Sequence, residues 1–261
     1  MYPSDLASRI SEWIREIVSE AGAQGVVLGM SGGLDSSVAA VLCKKAFPDT
    51  TLGLIMPCGS RKEDIEHAKM VAAQFGIEMK EIDLSHIFTV LLKLLEVEEE
   101  RENDGDVKGA IDKDINVDIA VANLKPRLRT ICLYYFANKR NYLVVGTGNK
   151  SELSIGYFTK YGDGAADILP LGDVLKTEER KLAEALNIPT EIIEKEPSAG
   201  LWEGQTDEAE IGMSYDVLDK ILLALERSDL SGCDPDLVDR VKRMMDASQH
   251  KRETIPVFKR S

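Results

Sequence analysis

The chain has few cysteines and no long apolar run, and both absences narrow what it can be. Its four cysteines (Cys43, Cys58, Cys132 and Cys233) are scattered and form no Cys-x-x-Cys pair. This spacing argues against zinc, iron–sulfur and dithiol sulfur-transfer centres. The sequence contains no run of about 18 apolar residues and no charged-then-apolar leader. We therefore expect a cytoplasmic protein that has no membrane partner.

Basic residues are also fewer than acidic residues. The 32 lysines and arginines are outnumbered by 45 aspartates and glutamates, which gives a formal net charge of −13. A charge of this sign disfavours nucleic acid as a partner and tRNA modification as an activity. Because 44% of the 261 residues are apolar, the chain can bury a full core, and we expect one domain over residues 1–261.

A glycine- and serine-rich turn at 29–37 carries the strongest functional signal. It lies between an apolar run typical of a buried strand, 25–28, and a helical pattern, 38–46. Backbone N–H groups at such a helix start bind phosphate, and the helix dipole favours anions there. Gly32 and Gly33 let the backbone approach phosphate oxygens closely, and the serines of the turn add hydroxyl donors.

Asp35 occupies the place where a Walker A loop carries its lysine. An aspartate beside a polyphosphate requires a metal ion between the two anions. The turn is therefore expected to bind pyrophosphate with magnesium rather than to transfer a γ-phosphoryl group. It is similar to the Ser-Gly-Gly-x-Asp-Ser loop of the ATP pyrophosphatases. The alternative is an ordinary strand–turn–helix with spare glycines.

Apolar strands alternate with amphipathic helices along the chain. This order predicts an α/β fold with a doubly wound, open parallel sheet, helices on both faces and right-handed crossovers. We expect strands at 25–28, 51–56, 77–83 and 142–145. The nucleotide-binding core is expected over about 22–195, and a C-terminal helical part over about 207–250.

Polar loops follow the strands at the edge where an open parallel sheet binds ligands. Loop 146–152 offers Thr147 and Glu152. Glu152 is either a magnesium ligand acting with Asp35 or an acid favoured at a helix start. The irregular stretches at 156–171 and 197–208 are expected to form a binding loop and a lid.

Two longer helices are predicted before these loops. One runs from Ser85 to about Val97 and precedes an exposed acidic loop, 98–106. The other runs from about 116 to 138 and is interrupted by Pro126. Arg129, just beyond that proline, is expected to form a surface ion pair.

Taken together, these motifs resemble those of the ammonia-dependent NAD synthetases over nearly the whole chain. The most specific motif is Phe-Thr-Lys-Tyr-Gly-Asp-Gly at 158–164. The others are Gly-Thr-x4-Glu at 146–152, Ala-Asp-Ile-Leu-Pro-Leu at 166–171, Lys-Glu-Pro-Ser-Ala at 195–199 and Gly-Gln-x-Asp-Glu at 204–208. Pro126 departs from the small helical residue usual in the family, and Ser198 replaces a common threonine but keeps its hydroxyl.

The resemblance implies a fold, a reaction and an assembly. The fold is the Rossmann-like one of the adenine nucleotide alpha hydrolases. The reaction is the last step of NAD biosynthesis, in which ammonia amidates deamido-NAD while ATP is cleaved to AMP and pyrophosphate through an adenylate. The resemblance thus implies an amide-forming carbon–nitrogen ligase that uses Mg²⁺ and works as a homodimer.

The resemblance also implies the site residues, position by position. Asp35, Lys176 and Asp163 would be catalytic, with either Asp163 or Asp167 handling ammonium. Asp35 and Glu152 would hold Mg²⁺. ATP would contact Gly29, Met30, Ser31, Gly32, Gly33, Leu34, Asp35, Ser36, Thr147, Lys176 and Ser198, and deamido-NAD would contact Arg127, Lys160, Asp167, His250 and Lys251.

Three other functions compete with this one. Another ATP-pyrophosphatase amide ligase, such as the synthetase part of a GMP or asparagine enzyme, shares the phosphate turn but not the motif at 158–164. A sulfur transferase is disfavoured by the cysteine pattern, and a nucleotide sensor by the paired acids Asp35 and Glu152. The chain has no room for an amidase domain, so free ammonia is the expected donor unless a separate glutaminase docks.

Overall fold

The centre of the fold is a parallel sheet. The computed structural model describes residues 2–102, 119–202 and 204–260, with the side chains of 96–102 left aside. In this part of the chain the sheet has four strands, in the order β3-β2-β1-β4. They are β1 (Gly25–Gly29), β2 (Thr51–Ile55), β3 (Glu78–Glu81) and β4 (Tyr142–Val145). The sheet therefore confirms the predicted doubly wound fold.

The strand order places a ligand site at the end of β1. The chain builds the sheet outward from β1 through β2 to β3, and then returns to add β4 on the other side of β1. The loops after β1 and β4 diverge at such a switch point and leave a crevice at the carboxyl edge of the sheet. Register is fixed on both sides of β1, because Val26 lies opposite Thr51 of β2 and opposite Leu143 of β4.

Helices cover both faces of the sheet, since side chains alternate along each strand. Val26 and Leu28 join a core formed with helices on one face, whereas Val27 joins a second core on the other face. The helices are α1 (Pro3–Glu20), α2 (Leu34–Ala46), α3 (Lys62–Phe75), α4 (Ser85–Glu102), α5 (Ile119–Arg140), α6 (Lys150–Ile155), α7 (Lys176–Ala185), α8 (Thr190–Ile193), α9 (Asp207–Ile211), α10 (Tyr215–Glu226), α11 (Pro235–Ala247) and α12 (Gln249–Arg252). Residues of α1, α2, α3 and α7 build the first core, and residues of α5 contribute to the second.

A third apolar cluster holds the C-terminal helices. Leu218 and Ile221 of α10 pack with Val238 and Val241 of α11, and all four are buried. Leu175, just before α7, belongs to the same cluster, so the C-terminal helices are joined to the sheet-bearing part. In the described residues no helix is long and apolar enough to cross a membrane.

The structure corrects two predictions about helices. Helix α4 continues to Glu102, so residues 98–102 are helical rather than the start of an acidic loop, and residues 103–106 lie outside the described part. Glutamate and leucine favour helix, and this propensity outweighs the local charge. Helix α5 continues through Pro126 without interruption; its predicted start at 116 also lies outside the described residues. Pro126 is buried beneath the loop that carries Gly162.

Candidate active site

The loops after β1, β2 and β4 enclose a cavity of about 670 Å³ at the carboxyl edge of the sheet. Sequence-predicted site residues that are far apart in the chain meet in its wall. Those that line it are Gly29, Met30, Ser31, Gly33, Leu34, Asp35, Ser36, Arg127, Thr147, Glu152, Lys160, Asp163, Lys176, Ser198, His250 and Lys251. Gly32 and Asp167 are not among the lining residues.

The phosphate turn leaves the start of α2 open to the cavity. Gly33 is the N-cap residue and has no side chain, so no side-chain bond caps the first turn of α2. The backbone N–H groups of this turn therefore remain available to an anion. The Ser31 and Ser36 hydroxyls lie 3.0 Å apart, and the Ser36 hydroxyl also accepts a bond from the Ser31 N–H at 3.2 Å. These bonds hold the turn in shape before a ligand arrives.

Replacing Gly32 with alanine is expected to distort the phosphate turn and abolish tight ATP binding. Gly32 has φ +79°, and a Cβ there would lie 2.0 Å from the backbone oxygen of Asp64. Backbone on both sides must shift to relieve such a contact. Gly22→Ala is the matched control, because Gly22 has φ +66° but open space around it. Calorimetric titration with ATP should show wild-type affinity for Gly22→Ala; wild-type affinity for Gly32→Ala would contradict this role.

Asp35, in the first turn of α2, is the centre of a charged cluster. The ammonium of Lys176 pairs with one carboxylate oxygen of Asp35, and the Asn149 amide donates to the other at 2.6 Å. The Lys176 Nζ also lies 3.5 Å from the Glu179 carboxylate. Lys176 is the first residue of α7 and is only 1% exposed. Helix α7 therefore carries a buried cation to the phosphate turn.

The charges in this cluster set the protonation of its members. Burial alone would raise the pKa of Asp35, but the Lys176 charge and hydrogen bonds outweigh it, so this pKa is lowered. Burial and the nearby Asp35 charge raise the pKa of Glu152 well above its usual value. Burial and Asp35 likewise raise the pKa of Glu179. Burial would lower the pKa of Lys176, but the surrounding carboxylates raise it overall.

Asp35 and Glu152 together fit a magnesium ion. Carboxylate oxygens are the ligands that Mg²⁺ prefers, and Mg²⁺ in nucleotide sites is held by one or two carboxylates plus phosphate oxygens and water. Glu152 lies in the first turn of α6, where the Asn149 backbone donates to its carboxylate at 3.2 Å. The Asp35 charge disfavours ionisation of Glu152, and a divalent cation would relieve that repulsion. In the described residues no group of three or more acidic, histidine or cysteine side chains offers a complete metal site, so phosphate and water must complete this one.

A group of cations surrounds the predicted binding loop. The Lys160 ammonium donates to the His250 carbonyl, and Arg127 donates to the Lys160 carbonyl at 3.3 Å. The Lys251 ammonium donates to the carbonyls of Gly156 and Phe158 at 2.7 and 2.8 Å. Lys251 thus anchors the loop, whereas Lys160 and His250 lie together at the mouth of the cavity.

Asp163 and Asp167, between which the sequence left the choice open, occupy different environments. Asp163 accepts from the Thr159 N–H at 3.0 Å and lines the cavity. The residue is exposed to the solvent of the cavity, but protein atoms crowd its carboxyl, and this desolvation raises its pKa. Asp167 accepts from the Val144 N–H at 2.7 Å and from the Tyr134 hydroxyl at 3.1 Å, outside the cavity lining. Only Asp163 therefore faces the enclosed space.

The predicted lid is held in a folded turn. The Ser198 hydroxyl donates to the Gln205 carbonyl at 2.7 Å, and the Leu201 N–H donates to the Gln205 side chain at 2.7 Å. Lys125 of α5 donates to the Leu201 carbonyl at 2.5 Å, which ties the turn to the opposite wall of the cavity. These bonds hold the stretch at the cavity, where Ser198, Leu201 and Gln205 line the wall; its action as a lid stays a prediction.

Sequence reasoning missed three residues of this site. Asn149 is fully buried and holds Asp35, and its position two residues after Thr147 was the available signal. The role of Glu179 could be found only from the tertiary structure, because the acidic start of α7 does not indicate which of its carboxylates is buried. Arg129 was predicted to form a surface ion pair, which is wrong: it lines the cavity and donates to the Met56 carbonyl at 3.2 Å.

The fold and this site define a class of protein. A parallel α/β sheet carries an uncapped helix start, an aspartate in place of the Walker lysine and a second carboxylate, that of Glu152, in the same cavity. These are the features of an ATP-pyrophosphatase-type nucleotide-binding protein.

Comparison with known proteins identifies the family within that class. The family model described as NAD synthase matches residues 6–255. The chain belongs to this family. It is 46% identical to the NH(3)-dependent NAD(+) synthetase of Carboxydothermus hydrogenoformans over 94% of this chain and 93% of that protein.

Two solved structures show the same fold over nearly the whole chain. An NMN synthetase from Francisella tularensis matches with a TM-score of 0.85 and 31% identity, over 98% of both chains. The NH3-dependent NAD synthetase of Campylobacter jejuni, solved with nitrate ion, matches with a TM-score of 0.80 and 30% identity. The latter match covers 99% of this chain and 100% of that chain.

Proposed function

We propose that this protein amidates deamido-NAD with ammonia and ATP, and releases NAD, AMP and pyrophosphate. The observation that carries the proposal is one cavity with two differently equipped ends. One end has the open helix start, Asp35 and Lys176, which suit a magnesium-bound polyphosphate. The other end has Lys160 bonded to His250, and Asp163 lines the same cavity; these groups suit an anionic acceptor and an ammonium ion. Membership of the NAD synthase family supports this assignment of the two ends.

The first step joins the two substrates. An oxygen of the nicotinate carboxylate bonds to the α-phosphorus of ATP, and the bond from that phosphorus to the α–β bridging oxygen breaks. Pyrophosphate leaves with the electron pair, and an acyl adenylate remains. Lys176 and the N–H groups at the start of α2 stabilise the negative charge of the departing pyrophosphate. Mg²⁺ held by Asp35 and Glu152 would neutralise the polyphosphate.

The second step consumes ammonia. Its nitrogen bonds to the acyl carbon, the carbon–oxygen bond to the phosphate breaks, and AMP leaves with the electron pair. Asp163 faces the cavity, and the raised pKa of its carboxyl suits it to hold ammonium and accept a proton. The lid excludes water, which would otherwise hydrolyse the adenylate.

An assay of the purified protein tests the reaction directly. Incubation with ATP, magnesium, deamido-NAD and ammonium should produce NAD, AMP and pyrophosphate in equal amounts. Formation of AMP without NAD would show that ATP is cleaved between the α- and β-phosphates but that deamido-NAD is not the acceptor. Absence of both products from a folded preparation would favour a nucleotide sensor that performs no chemistry.

A second acceptor, nicotinate mononucleotide, comes from one specific observation. The structural neighbour with TM-score 0.85 is named an NMN synthetase. The same cavity chemistry would amidate the mononucleotide, because the reacting carboxylate is identical. Comparison of kcat/KM for the two acceptors decides between them, and we expect at least a tenfold preference for deamido-NAD.

Replacing Lys160 with alanine is expected to weaken acceptor binding and leave ATP binding unchanged. Lys160 lies beside His250 at the acceptor end, and it has no contact with the Asp35 cluster. Loss of one charge-assisted contact should raise the KM for deamido-NAD about tenfold. Lys181→Ala, at an exposed position of α7, is the control. A changed ATP affinity with an unchanged KM for deamido-NAD would assign Lys160 to the other substrate.

We further propose that residues 1–261 form one domain and that the protein acts in the cytoplasm. We also propose that two copies form a homodimer through α5. Ile131, Tyr135 and Tyr161 are 66%, 57% and 58% exposed and lie along a shallow groove shared with Arg127. Apolar side chains exposed together in this way mark an interaction surface. All four cysteines are unpaired, as expected in a reducing compartment. Sedimentation should give twice the 28.8 kDa chain mass, and a monomer at assay concentration would reject the dimer.

A further inference from the structure

Arg129 of α5 is held at one edge of its guanidinium and left open at the other. Its Nε donates to the Met56 carbonyl, just after β2, at 3.2 Å. Across the described residues no hydrogen bond or ion pair engages its two terminal nitrogens, although the side chain lines the cavity. A guanidinium has five N–H donors, so one anchoring bond leaves four for a ligand.

The surroundings of Arg129 place it between the two ends of the cavity. The side chain of its anchor, Met56, lies beside the first residue of the phosphate turn, since the Met56 Cε is 3.5 Å from the position that a Cβ would take at Gly29. Burial lowers the pKa of Arg129, while charges that include the Asp163 carboxylate act in the opposite direction. Asp163 belongs to the acceptor end. Arg129 therefore faces the space where the polyphosphate and the acceptor carboxylate must meet.

We propose that Arg129 is a catalytic residue that binds the α-phosphate of ATP during adenylate formation. This inference rests on the proposed function. The β- and γ-phosphates have the phosphate turn and Lys176, whereas the α-phosphate must reach toward the acceptor. Two anions approach each other as the carboxylate oxygen bonds to the α-phosphorus. A fixed guanidinium edge matches two phosphoryl oxygens and offsets that repulsion.

Adenylate formation can be measured separately from amidation by the exchange of labelled pyrophosphate into ATP, with deamido-NAD present and ammonia absent. Arg129→Met should lower both this exchange and the rate of NAD formation about 100-fold, as the loss of one charge-stabilising donor does. The dissociation constants for ATP and deamido-NAD should change less than about threefold. Arg129→Lys should recover part of the exchange, since it keeps the charge but loses the two-pronged geometry.

Arg15→Met is a matched control. The Arg15 Nε also donates to a backbone carbonyl at 3.2 Å, that of Ala46, but Arg15 lies on α1 outside the cavity lining. Its exchange rate should stay within about twofold of the wild type. If Arg129→Met fails to fold, Arg129→Lys decides the matter, with an expected exchange loss of about tenfold.

Two results would overturn the inference. Exchange at the wild-type rate in a folded Arg129→Met or Arg129→Lys protein would remove Arg129 from the adenylation step. A defect confined to the KM for deamido-NAD would make Arg129 an acceptor-binding residue. These results differ from those expected if the proposed function itself is wrong, because the wild-type protein would then form no NAD.

Discussion

Replacing Asp35 with asparagine is expected to leave a folded protein that forms NAD about 1,000-fold more slowly, a loss of about 4 kcal/mol of transition-state stabilisation. Asparagine keeps the size of the side chain and can still bond to Asn149. Lys176 keeps a nearby carboxylate, because Glu179 lies 3.5 Å from its ammonium. What the variant loses is the charge that would bind Mg²⁺ beside the polyphosphate.

Asp173→Asn is the control for this experiment. Asp173 also pairs with a lysine, Lys150, at 2.9 Å, but its side chain is 94% exposed and lies outside the cavity. Its turnover should remain within about twofold of the wild type, since exposed ion pairs contribute little. Titration with magnesium should show a much higher requirement in Asp35→Asn alone. Turnover near the wild-type rate in Asp35→Asn would rule out the metal role.

Replacing Lys176 with methionine is expected to abolish activity and to destabilise the fold by about 3–5 kcal/mol at neutral pH. Lys176 is buried and offsets the charges of Asp35, Glu152 and Glu179. Its removal leaves buried carboxylates that repel one another. Lys150→Met is the control, because its partners Asp173 and Glu226 are well exposed. That control should lose less than about 1 kcal/mol.

The pH dependence of the stability of Lys176→Met tests whether lost charge compensation is the cause of the destabilisation. A carboxyl with a raised folded-state pKa contributes stability fully below its unfolded pKa, and this stability is lost as the pH rises through the folded value. The pKa values of Glu152 and Glu179 already lie well above 4.5 with the lysine present. The difference in free energy of unfolding between the wild type and the variant, measured in denaturant melts, should therefore grow between about pH 5 and about pH 8. A deficit that is independent of pH would mean that lost packing, rather than charge, destabilises the variant.

Some parts of the site depended on local patterns, and most of the residues so predicted line the cavity. The phosphate turn lies within nine consecutive residues, so its glycines, its serines and Asp35 could be found without knowledge of the fold. Thr147 and Glu152 share one short loop, and the motif at 158–164 is also contiguous. The strand predictions were correct to within two residues at each end. Strands β1, β2 and β4 are continuous apolar runs, as is typical of parallel strands, whereas β3 has exposed residues and was predicted from their alternation.

Other parts depended on which elements pack together. Asp35 and Lys176 are 141 residues apart, and their ion pair exists because α7 begins next to the start of α2. The resemblance to a family indicated both residues but not their contact. Pro126 was expected to interrupt a helix, yet the helix runs through it, and the proline is buried next to Gly162.

The sequence by itself determined the fold class and the phosphate turn, because each is encoded by patterns of neighbouring residues. Only the tertiary structure decided which carboxylates are buried, which aspartate faces the cavity and where Arg129 points. Burial and charge are properties of the assembled environment, to which distant segments contribute. Arg127 and Arg129 show the difference: two arginines in one helix, one exposed near the mouth of the cavity and the other held against β2 inside it.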